Sequence, residues 1–180
     1  MVEGLRSFIL DPEKNPGRAN IFEIEGRTVV VDYAHNEDGV RGLIEICQGL
    51  RSNGARIFLT FGAAGDRTNV ILHRLGYTAA RGADRVGIAE LKRYLRGRDA
   101  QDLIQRLQGG VLDGGKPPAP VFANEVEALD WMLRESAPGD VVAITALSQR
   151  PEIFTLLRER GGASAGPDRI KALVRTARAS

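Results

Sequence analysis

Short apolar runs alternate with amphipathic segments along most of this chain. Residues 20–24 and 28–31 are strand-like runs joined by a short connection containing Gly26, which predicts a β-hairpin. After this hairpin the pattern predicts helices at 37–50, 69–81, 99–108, 125–135 and 151–160, and strands at 56–61, 85–89, 121–123 and 140–145. Such alternation indicates βαβ units. We therefore predict an α/β, Rossmann-like fold, with a mostly parallel sheet flanked by helices and an antiparallel strand from the hairpin.

Stretches rich in turn-forming residues predict the limits of this domain. Residues 1–18 lack periodicity, and we expect a linker there. A Gly/Pro-rich loop is predicted at 109–120. Residues 161–180 combine a Gly-rich stretch with a marginal basic helix, which favours a flexible basic tail over an arm that binds nucleic acid. The domain itself is predicted at 19–160, long enough to bury a core.

Composition narrows the class of protein. The chain of 180 residues is 43% hydrophobic and 27% charged, as in ordinary globular domains, and its net charge of +2 indicates neither a nucleic acid nor a membrane partner. No apolar run is long enough to cross a bilayer and the first residues are not a signal peptide, so we expect a cytoplasmic location. The single cysteine, Cys47, lies on the apolar face of a predicted helix, where a buried thiol is expected.

The run from Thr28 to Asn36 is the most informative segment. Its apolar half predicts a strand buried on both faces, and the carboxyl ends of such strands are where open α/β sheets bind ligands. Asp32 is suited to accept hydrogen bonds from a ribose diol, while Tyr33 and His35 offer flat faces to a base or donors to a phosphate. The alternative is that Asp32 caps the next helix and His35 packs beneath it. Tyr33 and Asn36 beside them favour a ligand site, although Asn36 is also a suitable helix cap.

Two further turns are predicted at the same edge of the sheet. Residues 62–68 form a Gly-rich turn that lacks the Gly-Lys-Thr/Ser of a phosphate-binding P-loop. Arg67 in this turn could grip a carboxylate with two hydrogen bonds, or it could be a surface residue paired with Asp66. The next strand is followed by charged residues at 90, 92, 93, 96 and 98. We expect all these groups to converge on one cleft, with the loops at 32–36 and 62–67 leaving neighbouring strands.

Other chemistry receives little support. Asp32 and His35 lack a third metal ligand, which disfavours a metal-dependent phosphoesterase. Ser148 has no partner histidine at a recognisable spacing, and His73, inside a predicted helix, is expected to pack.

Three motifs together resemble the C-terminal domain of the Mur ligase superfamily, whose members form amide bonds through an ATP-driven acyl phosphate. They are Asn15-Pro16-Gly17-Arg18, Val31-Asp32-Tyr33-Ala34-His35-Asn36 and Gly65-Asp66-Arg67. The segment Leu95-Arg96-Gly97-Arg98 is most similar to the cyanophycin synthetase branch. The resemblance extends from about residue 6 to residue 160.

This resemblance implies a role for each motif in an ATP- and Mg²⁺-dependent ligase. Arg18 would approach the ATP phosphates and Asp32 would hold the ribose hydroxyls, with Tyr33, His35 and Asn36 on the nucleotide side. The amino-acid acceptor would be bound by Arg67 together with Gly65, Asp66 and Arg98.

The chain also departs from the family pattern. Glu37 stands where a Pro often follows the Asn of the first strand motif, and Glu90-Leu91-Lys92-Arg93 replaces the Asp-Asn-Pro-Arg of ligases for diaminopimelate or lysine, which argues against a peptidoglycan acceptor. The sequence contains no Gly-Lys-Thr/Ser loop. We therefore expect a part of a longer or split ligase, without Mg²⁺ of its own and inactive without the central ATPase domain or a separate chain carrying it. The alternative is a stand-alone module that binds a nucleotide or amino acid without turnover.

Overall fold

The computed structural model describes residues 15–179. Its strands are β1 (Asn20–Ile24), β2 (Arg27–Asp32), β3 (Ile57–Phe61), β4 (Arg85–Ala89), β5 (Val121–Phe122), β6 (Val141–Thr145) and β7 (Ala163–Ser164). Its α-helices are α1 (Glu37–Leu50), α2 (Asn69–Gly82), α3 (Ala100–Asp113), α4 (Glu125–Glu135), α5 (Arg150–Glu159) and α6 (Pro167–Ala179), and a short 3₁₀ helix spans Lys92–Tyr94. No helix in this part of the chain is both long and apolar enough to cross a membrane.

The strands form one twisted mixed sheet in the order β5-β4-β3-β6-β2-β1-β7. Strands β2 to β6 run parallel to one another, whereas β1 pairs antiparallel with β2 through the hairpin. Both residues of the hairpin turn, Glu25 and Gly26, have positive φ angles, of 49° and 77°. That conformation matches the right-handed twist of the strands. The predicted α/β fold with an antiparallel hairpin strand is therefore confirmed.

One predicted neighbour relation is wrong. β2 and β3 are not adjacent, because β6 lies between them and pairs with both. All residues of β6 are buried, as a central strand requires. The loops that follow β2 and β3 still leave the same edge of the sheet, with the loop after β6 between them.

Helices cover both faces of the sheet. Leu43 of α1, Leu72 of α2 and Leu107 of α3 belong to the core on one face. Met132 of α4 and Leu157 of α5 belong to the core on the other face. The helices after β2 and β3 therefore lie on the opposite face from the helix after β6, and crevices open at the carboxyl ends of these strands.

Helix α3 continues to Asp113, beyond its predicted end at residue 108. The glycines that suggested a loop serve close helix packing instead. A Cβ on Gly110 would lie 1.9 Å from the carbonyl oxygen of His73 in α2, and a Cβ on Gly76 would lie 2.1 Å from that of Leu107. His73 does not pack as predicted but bonds through Nε2 to Asp113 at 2.9 Å, half exposed.

Residues 161–179, predicted as part of a flexible tail, contain regular structure. β7 pairs with β1, and the N–H of Ala165 donates to the carbonyl of Ile21 at 2.8 Å. Arg169 of α6 donates two hydrogen bonds to the Glu23 carboxylate, and apolar side chains of α6 pack against the core beside α1. Tertiary contacts therefore support a helix that is marginal in isolation. The predicted N-terminal linker lies mostly outside the described residues.

Candidate functional site

The carboxyl edge of the parallel strands collects the predicted site residues. Asp32 ends β2, the Arg67 turn follows β3, a charged segment follows β4, and residues 146–149 connect β6 to α5. Asp32 and Thr145 are register partners, so Asp32 lies directly beside the end of β6.

Asp32 is a half-buried carboxylate tied to the chain that enters β1. Its Oδ2 accepts the N–H of Ala19 at 2.8 Å. Burial raises the pKa of Asp32 above its ordinary value of 3.8, and hydrogen bonds from the N–H groups of Ala19 and Ala34 and the charge of Arg18 offset this only in part. Asp32 does not cap α1, because Asn36 does so by accepting the N–H of Gly39 at 2.8 Å.

Arg18, Tyr33 and His35 form a stacked group next to Asp32. The guanidinium carbon of Arg18 lies 5.3 Å from the centre of the Tyr33 ring. The rings of Tyr33 and His35 are 5.5 Å apart and tilted by 51°, and Nδ1 of His35 lies 3.2 Å from the carbonyl oxygen of Tyr33. His35 is exposed and is not packed beneath the helix. The group presents aromatic faces and one positive charge to solvent, which suits a base and a phosphate.

The Arg67 turn is held in place by its neighbours. A Cβ on Gly65 would lie 1.9 Å from the carbonyl oxygen of Leu95, so only glycine allows this approach. Asp66 pairs with Arg96 at 2.5 Å and not with Arg67. Arg67 is half-buried, and its guanidinium makes no hydrogen bond or ion pair within residues 15–179.

Arg98 has internal partners that support this turn. Its guanidinium donates to the carboxylate of Asp102, to the carbonyl of Arg67 at 2.7 Å and to the side chain of Asn69. These bonds also hold the pKa of Asp102 below its usual range. Contact of Arg98 with a substrate stays a prediction, while its observed contacts position Arg67.

Glu125 is an important residue that sequence reasoning missed. This buried carboxylate, in the first turn of α4, accepts the N–H groups of Leu147, Ser148 and Gln149 at 2.6, 3.0 and 2.7 Å. In return, Oε1 of Gln149 accepts the N–H of Glu125 at 3.1 Å and that of Val126. The sequence shows only an acidic residue at a helix start, because its partners lie more than twenty residues further on.

A polar cavity of about 180 Å³ opens beside this loop. Charges of both signs line it, Glu90 and Glu152 against Lys92 and Arg93. It lies at the ends of β4, β5 and β6.

Arg150, the first residue of α5, was also missed. It is half-buried and makes no hydrogen bond or ion pair with the described residues. A Cβ on Gly17 would lie 2.7 Å from its Cδ. Arg150 therefore packs beneath the turn that carries Arg18. In the sequence the sign of this contact is the glycine before Arg18, and a glycine does not identify a partner about 130 residues away.

The buried thiol is as predicted, since Cys47 is fully buried and burial raises its pKa to about 12. Residues 15–179 contain no group of three or more His, Cys, Asp or Glu side chains placed to hold a metal ion.

Comparison with known proteins identifies the family to which this domain belongs. The family of Mur ligases, glutamate ligase domain, matches residues 17–147. The chain belongs to this Mur ligase C-terminal domain family.

Two curated relatives illustrate its range. Cyanophycin synthetase of Crocosphaera subtropica is 32% identical over 144 residues, which cover 79% of this chain and 16% of that protein. The UDP-N-acetylmuramoyl-L-alanyl-D-glutamate–2,6-diaminopimelate ligase of Chromobacterium violaceum is 30% identical over 133 residues, which cover 72% of this chain and 26% of that protein. The chain thus spans about a quarter or less of these relatives.

Solved structures share the fold. A UDP-N-acetylmuramoyl-L-alanyl-D-glutamate–2,6-diaminopimelate ligase superposes with a TM-score of 0.67 at 20% identity, covering 82% of this chain and 32% of that one. A bifunctional folylpolyglutamate synthase/dihydrofolate synthase with Mn, AMPPNP and L-glutamate bound superposes with a TM-score of 0.61 at 18% identity, covering 80% and 32%.

Proposed function

We propose that this chain is the nucleotide- and acceptor-binding domain of an ATP-dependent, ADP-forming ligase that joins a carboxylic acid to an amino acid. One observation carries the proposal. Two sets of polar groups with unused bonding capacity lie on the carboxyl edge, on either side of β6: Asp32 with the Arg18–Tyr33–His35 stack, and Arg67. A ligase domain needs two such sites, one for each substrate that it brings to the reaction.

The first set suits a nucleotide. The Asp32 carboxylate has acceptor positions beyond the bond from Ala19, and a ribose diol would donate to them. These bonds would stabilise the ionised form that burial disfavours. The Tyr33–His35 faces would contact the base, and Arg18 would contact the phosphates.

The second set suits the carboxylate of an amino acid. The backbone of Arg67 is fixed by the contacts of its turn, and its guanidinium, which has no partner in residues 15–179, could bind a carboxylate with two hydrogen bonds. The charged cavity lined by Glu90 and Arg93 opens on the same edge of the sheet, and we propose that it receives the acceptor side chain.

The relatives support this division. The bifunctional folylpolyglutamate synthase/dihydrofolate synthase holds AMPPNP, Mn and L-glutamate in a chain whose fold includes this domain. In the complete ligase we propose that a central ATPase domain, in a longer protein or in a separate chain, holds the ATP-bound Mg²⁺. The 180 residues alone would then bind substrates without turning ATP over.

Nucleotide binding to the 180-residue chain tests the proposal. NMR titration with ADP should show weak, saturable shifts at Tyr33 and His35, and Asp32→Ala should weaken this binding about tenfold or more. Asp38→Ala is the matched control, because Asp38 is an exposed aspartate nearby whose ion pair among residues 15–179 is with Arg41.

Two results would contradict the proposal: no ADP binding at millimolar concentration, or equal affinity in Asp32→Ala and wild type. ATP hydrolysis by the chain alone would instead disprove its dependence on a central domain. Micromolar binding without a partner would favour the stand-alone binding module.

A further inference from the structure

We propose that Arg150 binds a phosphate of the nucleotide together with Arg18, so that the two guanidinium groups form one phosphoanion site around Gly17. This inference rests on the proposed nucleotide-binding function and adds to it a residue from the opposite end of the domain sequence.

Burial and bonding single out Arg150. Among the arginines of residues 15–179, those that are half-buried are Arg27, Arg67, Arg98 and Arg150. Arg27 donates to Ser136 and Glu25, and Arg98 donates to Asp102, so both have internal anionic or carbonyl partners. Arg67 and Arg150 have none in the described chain. Partial burial of a guanidinium that has no acceptor is unfavourable, and hydrogen bonds to an anionic ligand would offset this cost.

The position of Arg150 matches the nucleotide side of the edge. Its aliphatic stem lies against Gly17, where a Cβ would be 2.7 Å from Cδ and 3.5 Å from Nη1. Arg18 follows Gly17 directly and lies over Tyr33. Ala19 then donates to Asp32. One short turn thus connects Arg150, Arg18 and the predicted ribose ligand.

Internal contacts fix the turn that carries Arg18. Gly17 donates to Oδ1 of the fully buried Asn20 at 2.5 Å. Helix α5 begins at Arg150 without a side-chain cap, because the side chain of Gln149 bonds to α4 instead.

Acidic side chains close to Arg150 have other contacts. Glu152, in the first turn of α5, lines the charged cavity with Lys92 and Arg93. Asp32 is bonded to Ala19 and lies near the charge of Arg18. Two guanidinium groups without an ion pair in the described residues are the chemistry of a phosphate site and not of a cation site.

The affinities of the 180-residue chain for ADP and adenosine test this inference. Arg150→Ala should weaken ADP binding about tenfold and leave adenosine binding unchanged, because only the phosphate contact is lost. Arg150→Lys should restore part of the loss, since a lysine keeps the charge but not the fork. The control is Arg158→Ala, which removes an exposed arginine from the same helix and should change neither affinity.

Gly17→Ala provides an independent variant. Its methyl group would displace the stem of Arg150, and φ of +77° at this position is unfavourable for alanine. We expect a loss of ADP affinity similar to that of Arg150→Ala, with no further loss in the double variant because both changes remove the same contact. Thermal unfolding of each variant checks that the fold is intact.

The outcomes separate the two proposals. If wild type binds neither ADP nor adenosine, the nucleotide-binding function itself fails. If wild type binds ADP and Arg150→Ala binds it equally well, only the role of Arg150 is overturned. Equal losses for ADP and adenosine would also overturn it, because they would indicate a structural effect on the whole site.

Discussion

Two aspartates at opposite edges of the same sheet have opposite surroundings. Asp140, before β6 at the amino edge, accepts the N–H groups of Arg56 and Ala137 at 2.8 and 2.9 Å and the guanidinium of Arg56 at 2.8 Å. Burial raises the pKa of Asp140, but the hydrogen bonds from Ala137 and Arg56 outweigh it, and the net pKa is below the ordinary value. At the carboxyl edge, the pKa of Asp32 is raised because burial outweighs the bonds it receives.

The arginines follow the same division. Arg27 and Arg56, at the amino edge, bond to groups of the protein, whereas Arg67 and Arg150, at the carboxyl edge, have no such partner in residues 15–179. These two arginines of the amino edge are satisfied internally and these two of the carboxyl edge are not, although Arg96 and Arg98 of the carboxyl edge pair with aspartates. This difference supports the proposal that ligands complete the carboxyl edge, at some cost to the stability of the free domain.

Glu125 is an exception to this difference between the two edges, because it lies near the carboxyl edge and its carboxylate is nevertheless bonded within the protein. Glu125→Ala would leave the buried N–H groups of residues 147–149 without an acceptor, and we expect a loss on the order of 4 kcal/mol in the free energy of unfolding. Urea unfolding measures it, with exposed Glu135→Ala of the same helix as control. A loss below about 1 kcal/mol would show that internal bonding at this edge contributes little.

Asp140→Ala tests the amino edge. Removal of the carboxylate leaves the N–H groups of Arg56 and Ala137 unpaired, and we expect a loss of about 2–3 kcal/mol in urea unfolding. Because the folded pKa is lowered, the stability from Asp140 is present above its ordinary pKa of 3.8 and is lost as the pH falls below that value. Wild type and variant should therefore converge in acid. A constant difference at all pH values would contradict the assignment.

Arg67→Ala should weaken a bound amino acid and not the fold. Loss of a bidentate contact is expected to reduce acceptor binding by about 1.5–3 kcal/mol, measured by NMR titration with free L-amino acids. The free energy of unfolding should change by less than about 0.5 kcal/mol, because no internal partner is lost. Arg98→Ala is the informative companion, since it should lower stability as well. Destabilisation by Arg67→Ala equal to that of Arg98→Ala would remove the distinction between them.

Asp32→Asn should give the smallest change in stability, with the opposite sign to Asp140. The pKa of Asp32 in the folded state is raised above its ordinary value of 3.8. Ionisation therefore disfavours the folded state, and stability is lost as the pH rises from 3.8 through the folded pKa. The variant should thus equal wild type in acid and unfold at a slightly higher temperature at neutral pH, while it binds ADP more weakly. Calorimetry at several pH values provides the measurement. A lower melting temperature at neutral pH would place Asp32 with Asp140 as a structural residue.

Much of the local structure can be read from the sequence because it depends on neighbours along the chain. The hairpin follows from Glu25-Gly26, and helix starts follow from Asn36 and Asn124, whose side chains accept N–H groups three residues later. The motifs after β2 and β3 also lie on one edge, as parallel strands require.

Other features depend on contacts between distant segments, and periodicity carries no information about them. A continuous apolar run shows that β6 is a strand but not that it separates β2 from β3. Gly110 reads as a helix end, although the backbone of α2 beside it is the reason for a glycine there. Glu125 and Arg150 acquire their surroundings from the loop after β6 and from Gly17, at sequence distances of more than twenty and more than one hundred residues. Local hydrogen-bonding preferences act between residues a few positions apart, so the sequence reveals them. Whether a charged group finds a partner depends on which distant segments the folded sheet brings together, and only the tertiary structure shows this.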